Sequence, residues 1–231
     1  MPRIAALVVA AGSGTRAGQS LPKQYVPVGG KPLLHYSLRA FLAHEAIDAV
    51  QTVIAHEHTE LFKQAVKGLT GLLMPSFGGA TRQASVLAGL RGLAERVSPD
   101  IVLIHDAARP FLPAEVIDRL IAALERHDGA IPALPVVDTI KQVDENGVIV
   151  ATPPRPTLRA AQTPQAFHFD AILKAHLKAA ERPDIEFSDD AAVAEQAGLR
   201  VVVVEGAAIL RKVTHGEDFA WAEDMARRLK A

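Results

Sequence analysis

The sequence IAALVVA at residues 4–10 runs directly into the glycine-containing stretch AGSGTRAG at residues 11–18. An apolar run without polar alternation is typical of a strand that is covered on both faces, as in a parallel sheet. The run is too short to cross a membrane, and nothing after it resembles a signal-cleavage site. We therefore predict a buried first strand that ends in a glycine-rich loop.

Short apolar runs alternate with longer amphipathic stretches along the rest of the chain. This alternation indicates βαβ units with right-handed crossovers, and hence an α/β fold, a three-layer sandwich with a mostly parallel sheet. Ligands should then bind at the carboxyl ends of the strands. The further predicted strands are 49–55, 101–105, 130–137 and 200–204, and the predicted helices are 32–44, 57–67, 81–96, 113–126, 169–181, 189–197 and 216–230.

One segment interrupts the alternation and predicts a β-hairpin. Residues 139–143 and 148–151 flank the sequence DENG, and an Asn-Gly pair between two such runs is a strong hairpin signal. Because a two-stranded ribbon alone is marginally stable in water, it needs a surface to lie against. Two interpretations remain open, an antiparallel edge on the chain's own sheet or an arm that docks on a second subunit.

Length and composition restrict the class of protein. The chain has 231 residues, 25 Lys+Arg against 26 Asp+Glu, and no cysteine. The length predicts one domain over 1–231, with the hairpin arm at about 138–155. A net charge of −1 argues against a nucleic-acid or membrane-surface partner, so that any anion must be held by a local cluster. The lack of cysteine excludes a disulfide scaffold and a thiol nucleophile, and with the missing signal segment it predicts a cytoplasmic protein.

The glycine-rich loop is suited to phosphate, because glycines let several backbone N–H groups approach a ligand. The pattern Gly-x-Gly-x-x-Ala at 12–17 satisfies a dinucleotide fingerprint, which also needs an acidic residue about 20 positions on. Pro32 stands there, and the first acid after the second strand is Glu57. The Gly-Lys-Ser/Thr of a P-loop is missing as well. Two cations, Arg16 and Lys23, instead accompany the glycines and would neutralise a triphosphate, although a tight turn with solvated cations remains an alternative.

Further clusters follow in a fixed order over nearly the whole length. They are Ala10-Ala11-Gly12-x-Gly14-x-Arg16, Pro22-Lys23-Gln24, Gly78-Gly79-x-x-Arg82-x-x-Ser85-Val86, His105-Asp106-Ala107-Ala108-Arg109-Pro110, Asp138-Thr139, Arg155, Thr163-Pro164-Gln165-x-Phe167, Ser188-Asp189-Asp190-Ala191 and Lys212-Val213-Thr214. Together they resemble the 2-C-methyl-D-erythritol 4-phosphate cytidylyltransferase family of the non-mevalonate isoprenoid pathway. Ala80 departs from that pattern, because an acidic residue often follows the glycine pair in the family.

The resemblance implies a Rossmann-like nucleotidyltransferase sheet with a protruding arm. It implies transfer of a cytidylyl group from CTP to 2-C-methyl-D-erythritol 4-phosphate, which forms 4-diphosphocytidyl-2-C-methyl-D-erythritol and pyrophosphate. A divalent cation, usually Mg²⁺, is required in the family, and the substrate phosphate attacks the α-phosphorus directly. Since that phosphate is already an anion, the barrier lies in bringing two anions together, and this calls for cations.

The resemblance also implies roles for individual residues. The implied catalytic residues are Arg16, Lys23, Arg155 and Lys212. The implied nucleotide-binding residues are Ala10, Ala11, Gly12, Gly14, Gly79, Ser85, Asp106, Ala107 and Thr163. The implied acceptor-binding residues are Asp106, Arg109, Thr139, Arg155 and Lys212. Asp106 would also contact the metal, directly or through water, and the hairpin would link an interlocked homodimer in which the arm of one subunit completes the acceptor pocket of the other.

Some of these residues have simpler structural roles open to them, and the chain has alternative functions. His105 is expected to be a core or loop histidine, and Asp189 and Asp190 are favoured as helix caps over metal ligands. Within the same class, ribitol 5-phosphate is an alternative acceptor. A nicotinamide-dependent oxidoreductase lacks its acid after the second strand, and a non-catalytic nucleotide-binding module would not need Arg16, Lys23 and Lys212 together.

Overall fold

The structure, a computed structural model, describes residues 2–12, 21–182 and 184–229. The strands are β1 (Ile4–Ala10), β2 (Pro27–Val28), β3 (Lys31–Pro32), β4 (Ala49–Ile54), β5 (Ser76–Phe77), β6 (Ile101–Asp106), β7 (Gly129–Pro135), β8 (Gln142–Val143), β9 (Ile149–Ala151), β10 (Arg159–Ala161), β11 (Gln165–His168) and β12 (Val201–Glu205). The α-helices are α1 (Leu33–Leu42), α2 (Thr59–Ala65), α3 (Arg82–Arg96), α4 (Ala114–Ala123), α5 (Phe169–Ala180), α6 (Asp190–Gln196) and α7 (Gly216–Arg228). Each predicted strand and helix is therefore present, most of the helices with shorter ends.

The main sheet has the spatial order β5-β4-β1-β6-β11-β7-β12. Its strands are parallel except β11, which is antiparallel to both β6 and β7, and β10, which is antiparallel to β7. Ala133 pairs with Ala161 of β10 and with Glu205 of β12, so these two strands lie on opposite edges of β7. The prediction of a mostly parallel α/β sheet is confirmed, and β5, β10 and β11 are additions to it.

Helices cover both faces of this sheet, which explains the uninterrupted apolar run in β1. Ile4, Ala6 and Val8 pack into one core with α1, α2 and α4. Ala5 and Leu7 pack into a second core with α3, α5 and α6. Because alternate side chains of a strand point to opposite faces, a strand buried on both sides needs apolar residues at every position. The three-layer sandwich predicted from the sequence follows from this arrangement.

The last helix, α7, builds a smaller third cluster beside the sheet. Ala222 and Ala226 pack against Val28, Leu33 and Phe111. This cluster lies next to the segment that carries Lys212, because Val213 belongs to it and its N–H donates a hydrogen bond to the carbonyl of Ala108 at 2.8 Å. The C-terminal part of the chain is thereby fixed against the end of β6.

The hairpin of β8 and β9 forms a two-stranded sheet of its own and does not pair with the main sheet. Within the described residues it therefore projects as an arm, and the interpretation as an edge of the chain's own sheet is wrong. Four of its apolar side chains are more than half exposed, namely Val143, Val148, Ile149 and Val150. No helix in the described part of the chain is long and apolar enough to cross a membrane.

Candidate functional site

A cleft of about 680 Å³ opens at the carboxyl ends of β1 and β6, where ligands bind in open α/β sheets. The start of α3 forms one wall, and the segment before α7 forms the opposite one. The described residues that line the cleft are Val9, Ala10, Ala11, Gly12, Lys23, Gln24, Gly79, Ala80, Thr81, Arg82, Ser85, Asp106, Ala107, Ala108, Lys212 and Thr214.

The loop that follows β1 is anchored by a buried glutamine. Gln24 is 3% exposed, and its Nε2 donates hydrogen bonds of 2.8 Å to the carbonyls of both Ala10 and Gly12. Its neighbour Lys23 points into the cleft wall and donates to the carbonyl of Val213 at 3.2 Å. The sequence pattern assigns Gln24 no role, although its place directly beside Lys23 is a signal for one. The predicted site residues Gly14 and Arg16 lie outside the described residues.

The segment before α3 forms a second wall of the cleft, and its glycines let it approach the loop after β1 closely. A Cβ atom at Gly78 would overlap the methyl group of Ala11 and lie 2.7 Å from the Ser85 hydroxyl oxygen. The N–H of Gly79 donates to that hydroxyl oxygen at 3.2 Å, and the hydroxyl donates to the carbonyl of Thr81 at 2.9 Å. Thr81 in turn caps α3, whose amino end adds partial positive charge to the cleft. The predicted nucleotide-binding residues of both loops, as far as the structure describes them, therefore share one cavity.

Asp106 is the charged centre of the cleft. Its Oδ2 accepts a hydrogen bond from Lys212 Nζ at 2.7 Å, and its Oδ1 accepts one from Arg82 Nε at 3.2 Å. Burial alone would raise the pKa of Asp106, but the charges of Arg82 and Lys212 hold the pKa well below its usual range. The carboxylate is therefore ionised at neutral pH, and it pairs with a lysine that lies 106 positions further along the chain.

The floor beneath Asp106 is a chain of buried hydrogen bonds. The Asp106 N–H donates to Thr163 Oγ1 at 3.0 Å, and Thr163 Oγ1 lies 3.1 Å from Nδ1 of His105. His105 Nε2 lies 2.9 Å from the carbonyl of Arg109, which can only accept, so Nε2 carries the proton and Nδ1 accepts from the threonine. Burial lowers the pKa of His105 to about 4. His105 is thus the buried, hydrogen-bonded histidine that the sequence predicted.

Other predicted site residues do not line the cleft of their own chain. Thr163 is buried in its floor, and Arg109 is turned aside, with Nη1 donating to the carbonyl of Leu210 at 2.9 Å. Burial lowers the pKa of the Arg109 guanidinium. Thr139 and Arg155 are exposed on the arm, where Arg155 Nη1 donates to the carbonyl of Val137 at 3.0 Å. The roles given to these four residues stay predictions.

The acidic pair at the start of α6 makes two different kinds of contact. Asp189 is the N-cap, and its side chain accepts a hydrogen bond of 2.9 Å from the N–H of Ala192. Asp190 is completely buried and pairs with Arg82, whose Nη2 lies 2.7 Å from Asp190 Oδ2. The prediction of a helix cap is confirmed for Asp189 and wrong for Asp190. Over residues 2–12, 21–182 and 184–229, no group of three or more His, Asp or Glu side chains could hold a metal ion.

Comparisons with known proteins establish the family of the chain. The family model of 2-C-methyl-D-erythritol 4-phosphate cytidylyltransferase matches residues 4–228. A bifunctional IspD/IspF enzyme of Rhodopseudomonas palustris is 53% identical over 223 residues, which are 96% of this chain and 55% of that enzyme. A similar enzyme of Bradyrhizobium is 52% identical over 221 residues, and the chain covers 56% of it. The chain thus spans about half the length of these curated relatives.

Solved structures match over the full length. The 2-C-methyl-D-erythritol 4-phosphate cytidylyltransferase of Thermus thermophilus is 36% identical, with a TM-score of 0.79 over 97% of this chain and 99% of that one. The 4-diphosphocytidyl-2C-methyl-D-erythritol synthase of Anaerococcus prevotii is 28% identical, with a TM-score of 0.86 over 98% of this chain and 97% of that one. By sequence and by fold, the chain belongs to the 2-C-methyl-D-erythritol 4-phosphate cytidylyltransferase family.

Proposed function

We propose that this chain transfers a cytidylyl group from CTP to the phosphate of 2-C-methyl-D-erythritol 4-phosphate and releases pyrophosphate. The observation that carries the proposal is the convergence of Lys23, Asp106 and Lys212 on one cleft that has glycine-containing walls. Two cations from distant parts of the chain meet there, as the approach of two phosphate esters requires. The relatives at 53% and 36% identity carry names of this activity or of a fusion that contains it.

The nucleotide would lie between the loop after β1 and the loop before α3. Hydrogen bonds from Gln24 fix the backbone of residues 10–12, and Gly79 and Ser85 line the same cleft. Backbone N–H groups and a helix amino end suit the phosphate oxygens of a nucleoside triphosphate. Ala80, at the position where the family pattern often has an acidic residue, offers only a methyl group to the base.

The two lysines would act on the charges that change during the reaction. Lys23 comes from the segment after β1 and suits the triphosphate, whereas Lys212 comes from the segment before α7 and suits the acceptor phosphate. The ion pair of Lys212 with Asp106 fixes the ammonium group before a substrate arrives. A prearranged cation stabilises the crowded transition state without having to reorganise.

A divalent cation is part of the proposal. Mg²⁺ takes one or two carboxylates and completes its coordination with water and phosphate oxygens. Asp106 is the one carboxylate among the described residues that line the cleft, and it is ionised, so the residues fit an ion held mainly by substrate. Asp106 would hold the ion directly or through water. A water-mediated contact would leave in place the hydrogen bonds that Lys212 and Arg82 already make to its two oxygens. When bound, the ion would supply positive charge to the triphosphate.

We propose a homodimer in which the arm of one subunit completes the acceptor site of the other. The support is that the apolar side chains of the arm are exposed and that Thr139 and Arg155, the predicted acceptor residues at its base, do not line the cleft of their own chain. A ribbon of two strands is marginal in water and gains stability when its apolar side chains are covered. The cytoplasmic location stays a prediction from composition.

Pyrophosphate release tests the reaction directly. The chain is incubated with CTP and Mg²⁺, and either 2-C-methyl-D-erythritol 4-phosphate or ribitol 5-phosphate is added. We expect release with the first acceptor, and the second serves as the control for specificity. Turnover with ribitol 5-phosphate alone would replace the proposed acceptor, and lack of turnover with both would remove the proposed function.

A further inference from the structure

Arg82 is a cleft residue to which neither the sequence pattern nor the proposed reaction gives a role. We infer that Arg82 is a positioning residue, which holds Asp106 in its catalytic orientation and is itself held by the buried Asp190. This inference rests on the proposed function and extends it from the residues that contact substrates to the residues that place them. Its basis is a continuous series of charged contacts between the cleft and the core.

The guanidinium of Arg82 bridges two carboxylates from different layers of the fold. Its Nε lies 3.2 Å from Asp106 Oδ1, at the end of β6, and its Nη2 lies 2.7 Å from Asp190 Oδ2, in the first turn of α6. A planar guanidinium can bind two acceptors in fixed directions, which an ammonium group cannot do. Arg82 therefore sets the angle of the Asp106 carboxylate as well as contributing charge.

Asp190 has no access to the cleft and can act on it only through other residues. Its side chain is 0% exposed, and His176 Nε2, which is also buried, lies 3.2 Å from its Oδ1. Burial alone would raise the pKa of Asp190, but Arg82 lowers it, so the carboxylate stays ionised. A buried ion pair contributes little net stability relative to apolar residues, which makes a positional role worth testing.

The charges along this series allow Asp106 to pair with Lys212 as well as with Arg82. Asp190 and Asp106 share the single positive charge of Arg82, and Lys212 supplies a second positive charge at Asp106 Oδ2. Without the carboxylate of Asp190, Arg82 would form its ion pair with Asp106 alone. The carboxylate would then turn toward Arg82, and the ammonium group of Lys212 would lose its fixed position. The expected consequence is a slower chemical step.

A double-mutant cycle tests whether Asp190 acts through Arg82. We compare the wild type with D190N, R82A and the R82A/D190N double variant, measuring kcat and KM for both substrates by pyrophosphate release, and the thermal midpoint of each protein. We expect kcat to fall about 10-fold in D190N and about 10²-fold in R82A, with KM values within about 3-fold, because the loss is one of transition-state geometry. The double variant should be no slower than R82A, because residues in one network are not additive.

Two further variants separate positioning from charge and from stability. D189N makes the same substitution one residue away. Asparagine still caps the helix but loses the acceptor for Gln165 Nε2, so its thermal midpoint should fall while its turnover matches that of the wild type. R82K keeps the charge without the two-armed geometry, and we expect its kcat to lie nearer to that of R82A. Lost activity that followed the thermal midpoints across all variants would indicate a structural role and overturn the inference.

The remaining outcomes distinguish this inference from the proposed function. Multiplicative effects in the double variant would show that Asp190 acts apart from Arg82. Near-normal turnover in folded R82A would remove the positioning role and leave the proposed function intact. If D190N does not fold, the kcat values of R82A and R82K still test whether Arg82 positions Asp106. A wild-type chain without cytidylyl transfer would remove the proposed function, and the inference with it.

Discussion

The cleft floor and the arm both carry predicted site residues, but these residues differ in burial and in the number of hydrogen bonds to their own chain. In the floor, His105 is 0%, Thr163 4% and Asp106 9% exposed, and their polar groups are joined by hydrogen bonds. On the arm, Ile149 is 58% exposed and Arg155 bonds to one backbone carbonyl of its own chain. The contrast shows that a single chain supports the cleft floor by itself, whereas the arm residues have few contacts with their own chain, as the proposed arm exchange between subunits requires.

The largest expected effect tests the cleft half alone. Replacing Lys23 by alanine should lower kcat/KM by on the order of 10² or more, because the cation acts mainly on the transition state. The fold should survive, since Lys23 is not part of the hydrophobic core. Pyrophosphate release and the thermal midpoint are measured together. The matched control is K63A, which removes an exposed lysine that pairs with Glu60 on α2 and should leave turnover unchanged.

A smaller effect is expected from separating cleft and arm, which come from different subunits in the proposed homodimer. We expect a purified heterodimer of K23A and R155A chains to have about half of the wild-type activity, although each homodimer is nearly inactive. In that heterodimer one cleft with Lys23 meets one arm with Arg155, and the other site lacks both. The measurement is turnover of the doubly tagged species.

The reverse pairing is the control for the shared site. A heterodimer of the wild type with the K23A/R155A double variant should be nearly inactive, because each site lacks one group. If cleft and arm served the same subunit, this heterodimer would have half of the wild-type activity and the first one none. Sedimentation adds an independent measure, since removal of residues 139–151 should give monomers. A wild-type chain that sediments as a monomer would contradict the shared site.

The sequence predicted those elements whose signals are local. The apolar run at 4–10 and the Asn-Gly turn at 146–147 each identify a structure within a few residues, and both are present. It did not predict β10 and β11, because runs of three and four residues carry too little periodicity, and their pairing with β6 and β7 is decided by the tertiary fold.

The candidate site likewise contains residues whose position could be predicted from the sequence and contacts that could not. Lys23 and Asp106 follow strands that were predicted, so their meeting at one edge of the sheet could be inferred from the order of the elements. The pairing of Arg82 with Asp190 joins residues 108 positions apart. A side-chain contact of this kind has no local signal, and Asp190, at the start of a predicted helix, is favoured by the sequence as a cap. Only the packing of both α3 and α6 against α5 brings the two charges together.

The smallest expected effect concerns acid and distinguishes the floor from the arm. The folded state lowers the pKa of His105 from 6.5 to about 4, mainly by burial. Between those values the unfolded chain binds a proton that the folded chain does not, so the stability contributed by neutral His105 is present above pH 6.5 and is lost as the pH falls. From pH 7 to 5.5 this amounts to about 1 kcal/mol, or a fall of about 2–4 °C in the thermal midpoint.

The variant H105Q separates this titration from the rest of the protein. Glutamine has no proton to gain in this range, and its amide can still donate to the carbonyl of Arg109. Its midpoint should therefore fall less than that of the wild type over the same pH interval, whatever its value at pH 7. Equal slopes for the two proteins would mean that His105 does not resist protonation, and that the floor of the cleft is as open to water as the arm.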